Sequence, residues 1–314
     1  MNSRIIFSVL IAFGITILAF YLLYNFFPDP TITRNNHEFY LQELNPEERK
    51  IFLVGSSHMG QLNTTHIIEN VSQKFPNKTV YNLSFNRDKP EERIEDIDHI
   101  ISHKPELVVY GISYRDFHYP KNPNESNLGE IFSLLLSDKN NELDEINPQF
   151  ITIKSIKKIL NQFGIMKEST FELKNTPFHQ IGYKQTKIAN DNELEKMILK
   201  SGASELFIRD YSENQQVIYL EKIIEKLQDH EIDIILITTP THKMYRESIS
   251  EESRKHFNPI LEKISSNLGI KIVNYNEKYS DMNIWRDLSH IAYNQNAIIF
   301  SEDISKMIIK EIEK

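Results

Sequence analysis

Two short polar stretches, separated by most of the chain, carry the residue types needed for acyl chemistry. Gly55-Ser56-Ser57 follows an apolar run, and Asp287 and His290 stand three residues apart before the last amphipathic segment. A serine hydroxyl becomes an effective nucleophile when a histidine takes its proton, and that histidine needs a carboxylate to fix its tautomer and stabilise its charged form. A serine at a strand-to-helix turn also has the amides of the helix start within reach of an oxyanion. His290 and Asp287 can supply base and base partner within one turn of chain. Each motif also has a plainer use: a serine is a favoured helix N-cap, Asp287 can cap the final helix, and His290 can be a partly buried imidazole. His242 is a rival base but lacks a nearby carboxylate, and His58, adjacent to Ser57, is expected to be a local hydrogen-bonding or substrate-facing group and not the base, since neighbouring side chains point apart.

Further polar sets follow other apolar runs: Asn82-Leu83-Ser84-Phe85-Asn86-Arg87-Asp88, Gly111-Ile112-Ser113-Tyr114-Arg115-Asp116 and Thr239-Pro240-Thr241-His242. Arg115 and Asp116 fit a structural ion pair as well as substrate binding. Tyr114, Phe117, Tyr119 and Trp285 fit an apolar wall or the core. With no cysteine in the chain, thiol nucleophiles, thiolate metal sites and disulfides are excluded. The 11 histidines are dispersed and H-E-x-x-H is absent, so no metal is expected. G-x-x-x-x-G-K-[ST] and G-x-G-x-x-G are absent too, and no cofactor is expected.

The elements that must position these residues are legible as short apolar runs. Ile51 to Val54, Val80 to Leu83, Leu107 to Ile112, Ile234 to Thr238 and Ile272 to Tyr275 read as buried parallel strands. Helical patterns run from about Met59 to Lys74, Pro90 to His103, Glu213 to His230, Ser248 to Leu268 and Asn294 to Lys314. Alternating strands and helices predict an α/β fold, a doubly wound parallel sheet whose ligands bind outside the carboxyl ends of its strands. About 120 residues separate the third and fourth runs, more than a crossover needs. Residues 120–205, with weak helical patterns at Ile151 to Phe163 and Glu193 to Ser201, read as a helical insertion or cap.

The charge-free run from Ile5 to Phe27 matches the roughly 20 residues that span a bilayer. Residues 1–28 are therefore expected to be a transmembrane anchor, closed by aromatic residues and Pro28, with 29–48 as a tether and 49–314 as the α/β domain. Arg4 before the run favours a cytoplasmic N-terminus and an extracytoplasmic domain, although a cleaved signal peptide is the alternative. Sequons at Asn63, Asn70, Asn77, Asn82 and Asn124 are compatible with that side but weigh little in so Asn-rich a chain. The net charge of -8, with Lys and Arg scattered, argues against nucleic acid as a partner.

Gly55-Ser56-Ser57 after the first strand, with Asp287-x-x-His290 before the last helix, resembles the SGNH (GDSL-like) hydrolases. With the membrane anchor, it is similar to surface acyl-transfer and esterase proteins such as the D-alanyl transfer protein of teichoic acid synthesis. The resemblance implies a flavodoxin-like α/β/α fold, Ser57 as nucleophile, His290 as base, Asp287 as its partner and the Ser57 N–H in the oxyanion hole. The sequence departs from the family in its second and third blocks. Asn82-Leu-Ser84-Phe-Asn86 stands where a glycine donor is usual, and Ser113 stands where an asparagine donor is usual, with Arg115 beside it. Ser84, Asn86, Ser113 and Arg115 are thus the candidate oxyanion or substrate-binding residues. The implied function is a membrane-anchored extracytoplasmic serine esterase or O-acyltransferase acting on a cell-envelope glycan or lipid-linked polymer. The altered blocks leave open a catalytically lapsed relative that binds glycan or scaffolds an envelope assembly partner.

Overall fold

The computed structural model describes residues 48–85, 88–118, 187–199, 206–293 and 298–314, all within one compact unit, Leu44–Lys314. Each expected apolar run forms a strand: β1 (Arg49–Gly55), β2 (Lys78–Asn82), β3 (Leu107–Ile112), β4 (Asp233–Thr238) and β5 (Lys271–Asn274). All pairings are parallel and the spatial order is β2-β1-β3-β4-β5. This is the flavodoxin-like doubly wound order, whose direction of winding reverses between β1 and β3. The continuous apolar runs follow from that position, since β1 and β3 are covered on both faces and have almost no exposed residue.

The expected helices form with breaks, two of which side-chain caps explain. The pattern from Met59 to Lys74 divides into α1 (Ser57–Gly60) and α2 (Thr64–Lys74). Asn63 between them takes a non-helical backbone, and its side chain accepts the His66 N–H at 3.1 Å. The pattern from Pro90 to His103 divides into α3 (Pro90–Arg93) and α4 (Ile97–Ser102), a break at which Asp96 makes no side-chain cap bond. α5 (Asp191–Ile198) lies in the expected insertion and begins at a reciprocal Asn190–Glu193 capping box. α6 (Gln215–Asp229) starts at the Asn214 cap. The stretch up to Leu268 is two helices, α7 (Lys243–Ser248) and α8 (Glu251–Leu268), separated by the Ser250 cap. Gly269, at φ +65°, ends α8 in the left-handed conformation that glycine adopts without steric cost. α9 (Ile299–Ile312) closes the chain.

Alternate strand residues divide between two apolar layers. Ile51, Leu53, Val109, Ile235 and Ile237 pack with Ile67 and Val71 of α2 and Ile304 and Ile308 of α9. The intervening residues, Phe52, Val108 and Leu236, are as fully buried, on the side where α6 packs on β4 and α8 on β5. Burying one such side chain stabilises the fold by about 1.5–3 kcal/mol, so the central strands form a stiff base for their own C-terminal ends.

The expected anchor, most of the tether, and the cap outside 187–199 lie outside the described residues. Among the described residues no helix is long and apolar enough to cross a membrane. Three of the five sequon asparagines have structural uses, while Asn124 lies outside the described residues: Asn82 is completely buried, and Asn63 caps α2. Asn70 donates to Ser305 Oγ at 3.0 Å.

Candidate active site

The nucleophile turn begins where β1 ends. Gly55 has φ +136°, a backbone region open to glycine, and a Cβ there would lie 2.5 Å from the Gly111 carbonyl oxygen. Gly111 is its neighbour in register on β3. The Met59 side chain fills the space over both glycines, where a Cβ on Gly111 would collide with it. The chain then turns tightly, with the Ser56 carbonyl accepting the Met59 N–H at 2.9 Å. Ser57 is thereby placed as the first residue of α1, at the carboxyl end of β1 and beside the crevice where strand order reverses.

Asp287 and His290 lie in a compact hairpin. Trp285 and Ile291 form an antiparallel bridge, the Ala292 N–H donates to the Ile284 carbonyl at 2.7 Å, and the Arg286 N–H donates to the His290 carbonyl at 2.9 Å. At the tip, Asp287 Oδ1 accepts the Ser289 and His290 N–H groups, both at 2.9 Å. This local turn explains why the pair needs three-residue spacing. The carboxylate faces the imidazole, with His290 Nδ1 2.9 Å from Asp287 Oδ1. The other ring nitrogen, Nε2, is 2.8 Å from Ser57 Oγ.

The proton positions follow from the partners. An ionised carboxylate only accepts, so Nδ1 of a neutral His290 carries its proton toward Asp287 and Nε2 is left to accept the Ser57 O–H. Burial alone would raise the Asp287 pKa. The facing His290, its hydrogen bond, the Arg286 charge and the Ser289 N–H outweigh burial and hold the carboxyl well below its ordinary value. Arg286 donates to Asp287 Oδ2 from Nη2 at 2.7 Å and Nε at 3.0 Å.

His58 has a role that adjacency to Ser57 did not suggest. Its ring stacks on His290 with centroids 4.7 Å apart and planes within 5°. Its Nδ1 is 2.8 Å from Ser56 Oγ. Burial first, then the proximity of His290 and Arg115, hold His58 well below its ordinary pKa, so it is a neutral wall beside the base. His242, the rival base, is engaged otherwise: its Nδ1 accepts the Met244 N–H at 3.2 Å in capping α7, and its ring meets Trp285 of the hairpin edge-on.

The second- and third-block residues are held in unequal ways. Ser113 donates from both its N–H, at 2.5 Å, and its hydroxyl, at 2.8 Å, to Asp116 Oδ2. The hydroxyl foreseen as an oxyanion donor is thus engaged in a cap of the short 3-10 turn Tyr114–Phe117. Arg115 is exposed and donates from Nε to the Tyr245 hydroxyl at 2.7 Å. The Ser84 N–H donates to Asn82 Oδ1 at 3.0 Å. Its hydroxyl is buried and, among the described residues, has no hydrogen-bond partner. Asn86 lies outside the described residues. Trp285, Tyr114 and Phe117 are core residues, not a wall of the site.

Two features had no sequence signal beyond charge. One is the Arg286 guanidinium on Asp287. The other is a buried ion pair in which Arg93 Nε donates to Asp88 Oδ2 at 2.8 Å and Nη2 to the Leu83 carbonyl at 3.0 Å. Both charges are about 2 % exposed, so removing one leaves the other buried, at a cost of about 3–5 kcal/mol. This pair fixes the segment that carries Ser84. Among the described residues no cluster of three metal-ligating side chains occurs.

No protein-family model and no curated sequence matches the chain. Among solved structures it is similar to an acetyl xylan esterase, AlAXEase, at 10% identity over 83% of this chain and all of that one, with a TM-score of 0.44. It is similar to the psychrotrophic esterase EstA from Pseudoalteromonas sp. at 9% identity, over 85% of this chain and all of that one, with a TM-score of 0.42. A candidate lipolytic protein of the G-D-S-L family from Desulfitobacterium hafniense is similar at 9% identity over 82% of this chain and 99% of its own, with a TM-score of 0.40.

Proposed function

We propose that this chain is an SGNH-type serine esterase or acyltransferase acting through an acyl-Ser57 intermediate. The observation that carries the reading is the unbroken relay from Ser57 Oγ through His290 to Asp287, with links of 2.8 and 2.9 Å. Ser57 attacks the ester carbonyl as His290 Nε2 takes its proton, and Asp287 stabilises the imidazolium that results. The negative charge on the tetrahedral intermediate meets the Ser57 N–H at the start of α1. His290 then protonates the leaving alcohol, and water or an acceptor hydroxyl releases the acyl group. A lapsed, purely binding protein would have no need of a serine held within hydrogen-bond reach of a carboxylate-backed histidine.

Residues 5–27 supply the anchor in this reading, holding the domain at the outer face of a membrane. The substrate is an acyl-bearing glycan or lipid-linked polymer of the cell envelope. The decisive experiment is fluorophosphonate labelling: the native protein is expected to be labelled at Ser57, and the Ser57→Ala variant to lose the label. Equal labelling of the two would sink the assignment.

A further inference from the structure

The nucleophile turn and the hairpin that carries the base are separate pieces of chain. Bonds within the hairpin, between Ile284 and Ala292 and between Arg286 and His290, close it upon itself. Those bonds fix its shape and leave open its distance from Ser57. A buried side chain spans that gap. Gln61, 7 % exposed, donates from Nε2 to the His58 carbonyl at 2.7 Å. Its Oε1 accepts the Ile291 N–H in a short bond. We infer that Gln61 is a positioning residue for the reaction, joining the residue after the nucleophile to the residue after the base and so setting the Ser57–His290 separation. The inference rests on the Ser57 reading of the site.

The geometry gives the side chain little alternative use. Both its polar groups are engaged inside the protein, one on each piece, and each bonded backbone group is one residue from a reacting one. The rings carried by the two pieces are also stacked, His58 on His290, so a shift of either piece moves the plane of the imidazole as well as its distance. A side-chain amide carries its donor and its acceptor on separate atoms, so it can bond an acceptor on one piece and a donor on the other at once. A displacement of 1 Å in such a relay costs about 10²-fold in rate.

The test compares the full-length protein with its Gln61→Met and Gln61→Glu variants. Methionine has similar length and neither bond. Glutamic acid keeps an oxygen for Ile291 and, when protonated in this buried place, restores a donor for His58. The rate of Ser57 phosphonylation per folded molecule is expected to fall about 10- to 100-fold in Gln61→Met, with KM for a small ester unchanged and partial recovery in Gln61→Glu. A purely structural role would lower the melting temperature and leave that rate alone, and this outcome would overturn the inference. A crystal structure of Gln61→Met is the arm that needs no activity. Ser57 Oγ and His290 Nε2 are expected beyond about 3.2 Å, and a separation still at the native value would overturn the inference as well. Failure of the native protein itself to react at Ser57 would instead refute the nucleophile assignment, and the crystallographic arm would still decide the role of Gln61.

Discussion

Asp116 and Asp287 are the same residue type driven in opposite directions by their surroundings. Asp287 meets an imidazole, a guanidinium and two N–H groups, and its charged form is favoured in spite of burial. Asp116 is also buried and meets the Ser113 donors, but burial outweighs those bonds and pushes its carboxyl up to about 7. The two have opposite consequences for stability. Asp287 contributes stability that is present above its unfolded value and lost as pH falls through its depressed folded value. Asp116 contributes the reverse. Between about pH 4 and pH 7 the unfolded chain releases a proton that the folded chain keeps, so stability falls by about 1.4 kcal/mol for each unit of pH in that window. His58 acts against this trend, since below about 6.5 the unfolded histidine gains a proton that the buried one refuses. An Asp116→Asn variant separates the two effects, because its amide oxygen can still accept from Ser113 while His58 is unchanged. Its stability relative to the native protein is expected to rise steadily from pH 4 to pH 7, as read by urea unfolding. A constant difference across that range would show that Asp116 is ionised in the fold.

At the scale of elements, the nucleophile turn depends on a contact between two strand ends. Gly55 and Gly111 are partners in the β1–β3 register, and Met59 lies over both. Gly111→Ala would drive Met59 outward and with it the single turn that carries Ser57. Overpacking of this kind typically costs about 1–3 kcal/mol, and Ser57 labelling of the still-folded protein is expected to fall by about 10-fold or more, given the effect of a 1 Å misplacement. Labelling at the native rate would show that the turn is held from elsewhere. In the sequence each glycine is visible only as the letter after or within an apolar run. What couples them is strand register, a tertiary fact. The strands themselves were legible because residues such as Val108 and Val109 are buried on opposite faces, which leaves a continuous apolar signature. The helix breaks at Asn63 and Ser250 were less legible, since a cap depends on the side chain accepting one backbone N–H and not on hydrophobic spacing.

At the scale of the whole molecule, the strand order brings together groups 233 residues apart. That convergence was readable in outline, because Gly55-Ser56-Ser57 follows the first strand and Asp287 and His290 precede the last helix. The stacked His58 and the Gln61 tie were not, since both depend on how closely the hairpin docks. The same topology predicts where the chain can be cut. Its sheet starts at Arg49, and Glu48 just before it accepts hydrogen bonds from Thr79 and, at 2.5 Å, from the Tyr81 hydroxyl on β2. A chain starting at Leu44 retains both bonds and every described element, so it is expected to unfold cooperatively, to stay in the supernatant on membrane sedimentation, and to keep its Ser57 reactivity. The full-length protein is expected to sediment with membranes through residues 5–27. A chain starting at Arg49 loses the Glu48 carboxylate, which leaves two hydroxyls beside β2 without their acceptor, and its stability is expected to drop by about 1–3 kcal/mol in urea unfolding. Equal stability of the two shortened chains would show that the Glu48 bonds contribute nothing. Sedimentation of the chain starting at Leu44 would mean that the domain itself, and not residues 5–27, carries the affinity for membranes.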